Sequence, residues 1–466
     1  MTKRRDFIKK SVLGTAGIAI GGMGLSSRSY ASIIGANERI NVAVIGIRNQ
    51  GSVHIDSFCK IKDSHNVRLK TICDTDEGLF PSRIKMVVDQ TGAKPLTEWD
   101  LHKVLEDKEI DAVSIAVPNH WHALATIWAC QAGKHVYVEK PASHNIWEGR
   151  KMVEAARKYN VRVQCGLNNR SSENVIDAIK FLHEGGIGEV FAARGLCYKA
   201  RDSYGAAKEG TPPAAFHYDQ WLGPATWRPY SEKRSHYNWH WYWDTGNGDT
   251  GNTGPHQLDI ARWGLNKNEH PLTVYSTGGL YGLSKSDIST PGKMVYGDVE
   301  AYGKDKTTQE TPNTQTVAFK YSDGTLLEFE TRGRFTNHEG SKGQEVGNLF
   351  YGSDGWLEIY GSQWNAFRGR ERERFAGSKE GERIQAGDHY SNFIDAVRSG
   401  KNETLHCDIN EGYLSSCLPH LANISYRVGH NLTFNGKDEK FINDPKADEL
   451  LNRKEYRKPY VVPDKV

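Results

Sequence analysis

Residues 40–51 read Ile40-Asn41-Val42-Ala43-Val44-Ile45-Gly46-Ile47-Arg48-Asn49-Gln50-Gly51, an apolar run that breaks at a glycine and continues as a polar segment. Six residues rich in Val and Ile suit a buried strand. A glycine at the strand end permits a tight turn. A second at the helix side permits close packing while the first helical N–H groups face a pyrophosphate. Arg48 stands where the pattern G-x-G-x-x-G has its middle glycine, and backbone should approach the phosphate closely there. The arginine weakens the motif, although a guanidinium is itself able to contact phosphate. Taken alone, the stretch fits an ordinary strand–turn–helix equally well.

The next apolar run, Val67 to Cys73, ends at Asp74, where an acidic residue would bind the adenosine ribose hydroxyls. A carboxylate there disfavours a 2′-phosphate, so NAD is favoured over NADP; the plainer alternative is that Asp74 caps the next helix. Buried strands are expected at Ile40–Ile45, Arg68–Cys73, Ala112–Val117, His135–Val138 and Val161–Cys165, with helices at Leu101–Leu105, His120–Gln131 and Ile146–Tyr159. This alternation predicts an α/β fold, a doubly wound parallel sheet over residues 35–165. A helix over Asn174–His183 and a strand over Glu189–Tyr198 follow. Strand-like alternation at Thr316–Tyr321, Gly324–Thr331 and Gly355–Ile359 then predicts an α+β domain over 166–466 with a large, mostly antiparallel open sheet. Helices near Asp388–Arg398 and Asn410–Tyr426 are expected to return against a domain face, and the polar tail after Asp444 to wrap the surface.

The chain has 466 residues, 38% of them hydrophobic, enough for two packed domains, and a net charge of +3, too small to point to nucleic acid. The charge is unevenly placed. Residues 1–31 hold Lys3, Arg4, Arg5, Lys9, Lys10 and Arg28 against Asp6, a net +5 that leaves the rest at −2. A basic start, an apolar run from Val12 to Leu25 and a small-residue site at Ser29-Tyr30-Ala31 build a secretory signal. Arg4-Arg5-Asp6-Phe7-Ile8-Lys9 fits the twin-arginine form, read by machinery that exports folded proteins, so a periplasmic or otherwise exported location is expected. The 14-residue apolar run contains five glycines and falls short of the roughly 20 residues a membrane span needs. Seven cysteines stand singly, with no C-x-x-C pair, as expected of a chain that folds in a reducing compartment.

Three further segments carry more specific information: Val117-Pro118-Asn119-His120-Trp121-His122, then Gly133-Lys134-His135-Val136-Tyr137-Val138-Glu139-Lys140-Pro141, then Gly254-Pro255-His256-Gln257-Leu258-Asp259. With the loop at Gly46, their order and spacing resemble the glucose-fructose oxidoreductase, inositol dehydrogenase and MocA family over about residues 40–265. The resemblance implies an N-terminal Rossmann domain binding NAD through Gly46, Arg48, Asn49, Gly51, Asp74, Pro118, Asn119, His120, Glu139 and Lys140. It makes Lys140 the active-site lysine, with Pro141 holding the turn, often through a cis peptide bond. The family's D-x-G-x-H motif reads Asn252-Thr253-Gly254-Pro255-His256 here: the histidine matches and the aspartate does not. The resemblance also implies a homo-oligomer, dimer or tetramer, formed through the open sheet.

Removing hydride from a secondary alcohol needs a base for the hydroxyl proton and a donor for the developing alkoxide. His256 is the candidate base, with an unperturbed pKa near operating pH. Lys140 is the candidate donor. Asn252 forms hydrogen bonds but takes no proton, so a His-plus-Asp relay is in doubt; Asp259 either orients His256 or makes a structural contact. Phe, Trp and Tyr fill ten of the 28 residues from Phe216 to Trp243, against 10% of the whole chain. Aromatic faces suit pyranose C–H surfaces. Trp239, His240 and Asp244, with His122, Asn252 and Asp259, are therefore candidate substrate contacts. No metal-binding spacing is present. A carbohydrate substrate and a tightly bound NAD(H) are expected. The first reading is an oxidoreductase acting on a ring hydroxyl of a sugar or glycoside. The alternatives are a redox-neutral NAD-dependent glycosidase that works by transient oxidation and elimination, and a sugar-binding protein without activity.

Overall fold

The computed structural model describes residues 38–199, 208–280, 309–333, 346–361, 363–378 and 388–466, and the expected export signal lies outside them. Strand β1 (Ile40–Ile45) is hydrogen-bonded on both edges by parallel neighbours, β2 (Val67–Cys73) and β4 (Ala112–Ile115). Successive side chains of a strand point to opposite faces, and both faces of β1 are covered. Val42 and Val44 pack with Phe58 and Ile72, whereas Ala43 and Ile45 pack with Val113 and Leu124. Burying each Val or Ile is worth about 1.5–3 kcal/mol, which is why a sheet with two covered faces selects such a run.

With β3 (Leu96–Glu98), β5 (His135–Val138) and β6 (Val163–Cys165), the sheet has the order β3-β2-β1-β4-β5-β6 with every pair parallel. The order reverses between β1 and β4, and the crevice outside the carboxyl ends at such a switch point is where open α/β sheets hold ligands. Strand β4 stops at Ile115, two residues short of the expected end, because Ala116 and Val117 turn away beside Gly46. The helix over Phe80–Thr91 and the short β3 lie where the sequence pattern gave no assignment.

The second sheet pairs β7 (Val190–Cys197), β8 (Thr273–Gly279), β9 (Thr314–Lys320), β10 (Leu326–Arg332), β11 (Val346–Gly352), β12 (Trp356–Tyr360), β13 (Gln363–Arg368), β14 (Glu373–Gly377), β15 (Leu432–Asn435) and β16 (Lys440–Phe441). Its order is β14-β13-β12-β11-β7-β10-β9-β8-β15-β16, antiparallel except for β7 with β10. Residues Ile40–Val466 form one compact unit. Helix His389–Ser399 returns to the first sheet, where Tyr390, Phe393 and Ile394 join the core beneath β1. The tail is more than a surface wrap: Leu451, Tyr460, Val462 and Val466 are buried in the core.

Candidate active site

The turn after β1 depends on two glycines. Gly46 has φ +81°, and a Cβ there would stand 2.5 Å from the Ala116 carbonyl oxygen. A Cβ on Gly51 would stand 1.8 Å from the Gly46 carbonyl oxygen. Helix α1 (Asn49–Lys60) therefore starts tight against the strand end, and no side chain caps its first turn. Such an uncapped helix start at the sheet's carboxyl edge suits a diphosphate. Arg48 tolerates the middle-glycine position because its guanidinium reaches sideways, 3.0 Å from Asp76 Oδ2.

Asp74 Oδ2 accepts the Ile47 N–H at 2.8 Å and Oδ1 accepts the Asp76 N–H at 2.9 Å, tying the end of β2 to the phosphate turn. Burial, with Asp76 beside it, raises its carboxyl to about 6 despite these bonds. Asp74 is not the cap of the next turn; Asp76 is, accepting from Gly78 N–H.

Below the turn lies a buried chain that sequence reasoning missed. Ser114 Oγ and His54 Nδ1 are 2.8 Å apart, His54 Nε2 and Glu139 Oε1 3.0 Å, and Gln50 Nε2 donates to the same Glu139 oxygen at 3.1 Å. Burial opposes ionisation of Glu139, but the hydrogen bond and charge of His54, with Lys140 and His256 nearby, outweigh it and hold the carboxyl at about 2. A histidine on the otherwise apolar buried face of α1, among Ile55, Phe58 and Cys59, was the one available signal.

Glu139 leads into Lys140, whose peptide bond to Pro141 is cis. The Lys140 ammonium donates to the Asn252 carbonyl at 2.8 Å and to Asn252 Oδ1 at 3.3 Å. Asn252 ends helix α2 (Gly248–Asn252), so the residue replacing the family's aspartate holds the lysine through two neutral oxygens. His256 sits in the first turn of α3 (Gly254–Gly264), half-buried, with Nδ1 shielded and without a hydrogen-bond partner. Burial and the Lys140 charge push its pKa down to about 3, so the expectation of a value near operating pH is corrected: the imidazole is held neutral. His256 is not among the described residues lining the cleft.

Gly46, Arg48, Asn49, Asp74, Pro118, Asn119, His122, Glu139, Lys140, Trp239, His240 and Asn252 all line one cleft of about 420 Å³ at the switch point. His122 lines it while bonded between the Pro141 and Val117 carbonyls at 2.6 and 2.9 Å. Trp239 and His240 stack with ring centroids 3.6 Å apart. Three other candidates lie elsewhere. His120 is buried between the Trp221 and Thr245 carbonyls, and burial lowers it to about 4. Asp259 is captured by the Arg170 fork at 2.8–3.0 Å and by Ser415 Oγ at 2.6 Å, a structural ion pair far better satisfied than a substrate contact would be. Asp244 accepts the Thr226 N–H at 2.7 Å and pairs with Arg453 on the wall of a second cavity.

The cleft has a roof, which the sequence did not reveal. Gln220, Trp221, His236, Tyr237, Trp239 and His240 face the sheet edge, joined by Tyr460 of the tail. At one end the roof is pinned to the loop after β2: Glu77 N–H donates to the Ala215 carbonyl at 2.9 Å and His217 N–H to the Thr75 carbonyl at 2.8 Å. The His217 ring stacks on Trp99 with centroids 4.0 Å apart. Further along, Trp121 Nε1 donates to the Trp221 carbonyl at 3.0 Å. No group of three or more His, Cys, Asp or Glu able to hold a metal ion occurs among the described residues.

An oxidoreductase family model described as an NAD-binding Rossmann fold matches residues 40–167. Its companion, described as a C-terminal alpha/beta domain, matches 199–277 and 382–462, so the two together span more than half of the chain. Glycosyl hydrolase family 109 protein 1 of Shewanella sp. (strain MR-4) is 26% identical over 204 residues, 40% of this chain and 44% of that protein. The alpha-N-acetylgalactosaminidase of Shewanella oneidensis matches to the same extent, 26% over 204 residues and 44% of its length. The chain thus spans less than half the length of these curated relatives. Levoglucosan dehydrogenase in complex with NADH and levoglucosan superposes with a TM-score of 0.62 at 17% identity, over 85% of this chain and 99% of that one. The WlbA dehydrogenase from Bordetella pertussis, in complex with NADH and UDP-GlcNAcA, gives 0.59 at 19%, over 85% and 99%. At these identities the likeness to the solved structures is one of fold.

Proposed function

The chain belongs to the glucose-fructose oxidoreductase, inositol dehydrogenase and MocA family of oxidoreductases, and from that membership we propose that it oxidises a ring hydroxyl of a sugar or glycoside with an NAD that it keeps bound. The observation carrying this reading is the Lys140 ammonium, held 2.8 Å from the Asn252 carbonyl on the wall of the same cleft that begins at the phosphate turn. The glycine turn, the uncapped start of α1 and the Asp74 carboxylate suit the diphosphate and ribose of NAD. NAD supplies the hydride acceptor when bound.

Lys140 does the electrostatic work. Its ammonium, already oriented by two oxygens of Asn252, hydrogen-bonds the hydroxyl and stabilises negative charge as it develops on that oxygen. His256, half-buried and not itself on the described cleft wall, is the acceptor for the hydroxyl proton that we assign by family resemblance. In the free site burial and the Lys140 charge keep its pKa at about 3, a weak base. Negative charge growing on the substrate oxygen offsets the lysine and strengthens the imidazole as the proton leaves. Asn252 keeps Lys140 in place without adding a charge to neutralise it. Trp239 and His240, stacked on the roof, offer an aromatic platform for a sugar ring.

The pinned roof supports a retained cofactor, and so does the leader. Nicotinamide cofactors are recycled in the cytosol, so an enzyme exported through a twin-arginine signal benefits from folding around NAD before it leaves. We place the mature protein in the periplasm or beyond on that basis, as a homo-oligomer. The sugar ligands named for the similar dehydrogenases agree with the substrate class. The names of the curated relatives favour a second reading, redox-neutral glycoside hydrolysis by transient oxidation. Product analysis on a panel of glycosides separates the two. A keto-glycoside is the expected product, and release of the aglycone without net ketone would establish hydrolysis instead.

A further inference from the structure

A second cavity, of about 810 Å³, lies apart from the cofactor cleft, between helix α4 (Ile409–Val428), residues His144 and Asn145, and the C-terminal tail. Its wall is polar and carries the buried Arg453–Asp244 ion pair. His420 is 3% exposed and Asn145 7% exposed, and both line the cavity with a buried side-chain nitrogen, Nε2 and Nδ2, that has no hydrogen-bond partner. His144 Nδ1 stands 3.2 Å from an Arg453 nitrogen, which places the His144 proton on Nε2, and that atom is also buried without a partner. Burial lowers His420 to about 4 and drives His144 well below its ordinary value, so neither ring carries charge. Arg453 is paired with Asp244, with its Nε buried and without a hydrogen-bond partner, and Arg228 is paired with Glu310 at 2.7 Å. At the mouth, Trp243 presents a ring with the Arg427 guanidinium 5.3 Å from its centroid.

We propose that this cavity is a second binding site, for a neutral polyhydroxylated ligand the size of a monosaccharide. Buried polar nitrogens without partners are costly and call for a group that both donates and accepts. Hydroxyls do both, whereas an anion would share the cavity with the carboxylates of Asp244, Asp448, Glu449 and Glu455, which line it. The Trp243 ring supplies an apolar platform of the kind sugar C–H faces use. The occupant would touch a wall shared with the cofactor cleft, since Asn247 donates to the His144 carbonyl at 3.0 Å and accepts from Asn119 at 2.9 Å. This site does not depend on the catalytic reading.

Amide hydrogen exchange on the cofactor-loaded full chain tests it, with D-glucose, N-acetyl-D-galactosamine, methyl glucosides and, separately, inorganic phosphate as probes. The expected result is saturable protection of 420–428 and 447–455 by at least one saccharide, retained in Lys140→Ala. Apparent affinity should fall at least tenfold in Trp243→Ala, which removes the platform, and in Thr226→Trp, which plugs the exposed mouth. Both changes are near the surface, and the melting temperature of each variant confirms that it is folded. Protection by no saccharide, protection unchanged in both variants, protection lost in Lys140→Ala, or preference for phosphate would each overturn the proposal.

Discussion

At the scale of single residues, the site is a set of charges that constrain one another. Replacing Lys140 by Ala should lower kcat by about 100-fold or more, and Lys140→Arg should not restore it, because a planar fork does not reproduce a point donor; steady-state rates with bound cofactor check this. Asp74 gives a pH signature. Its carboxyl in the free cleft sits near 6, and ribose hydroxyls favour the ionised form. Bound NAD therefore lowers that pKa, and affinity for NAD should weaken as pH falls from 7 to 5, approaching a factor of about ten per unit below the free-site pKa. Asp74→Asn should flatten the curve, as measured by titration of cofactor-stripped protein. Asp259→Ala should instead cost about 3 kcal/mol of stability by leaving the buried Arg170 guanidinium with Glu411, 3.2 Å away, as its remaining carboxylate, visible as a lower Tm with little change in kcat of the protein that folds. The place of Lys140 on the cleft wall was legible in the sequence because the residues around it are specific. Asp259 was not, because its partners Arg170 and Ser415 come from distant parts of the chain and nothing local announces them.

At the scale of elements, what was legible followed period and composition. Runs of Val and Ile at Ile40–Ile45 and His135–Val138 were read to the residue because both faces of those strands are buried. Strand β3 was missed since only three residues pair and two of them are exposed at the sheet edge. The roof over the cleft was invisible for a different reason. Part of its anchoring is made of backbone hydrogen bonds between Ala215–His217 and Thr75–Glu77, to which any side chain contributes equally. The aromatic richness of 216–243 signalled a junction but not its geometry. If the roof retains the cofactor, His217→Ala, which removes the stack on Trp99, should speed loss of NADH at least several-fold while leaving the melting temperature of the cofactor-free protein nearly unchanged. Dialysis followed by fluorescence of the released nucleotide measures it.

At the scale of the whole molecule, the proposed twin-arginine leader and the NAD-binding Rossmann domain are reconciled by the proposed retention of NAD. All seven cysteines are buried and free, in keeping with a chain that folds before it meets an oxidising compartment. The central claim is that hydride from a sugar hydroxyl reaches a nicotinamide held beside Lys140. It is tested most directly by mixing the protein as purified, without added nucleotide, with a panel of glycosides while following absorbance at the reduced-nicotinamide band. The account predicts that NAD co-purifies, that at least one glycoside raises the absorbance up to one equivalent per chain, and that Lys140→Ala abolishes the rise while still binding NAD. A protein that carries and takes up no NAD, or a rise that persists undiminished in Lys140→Ala, would contradict it.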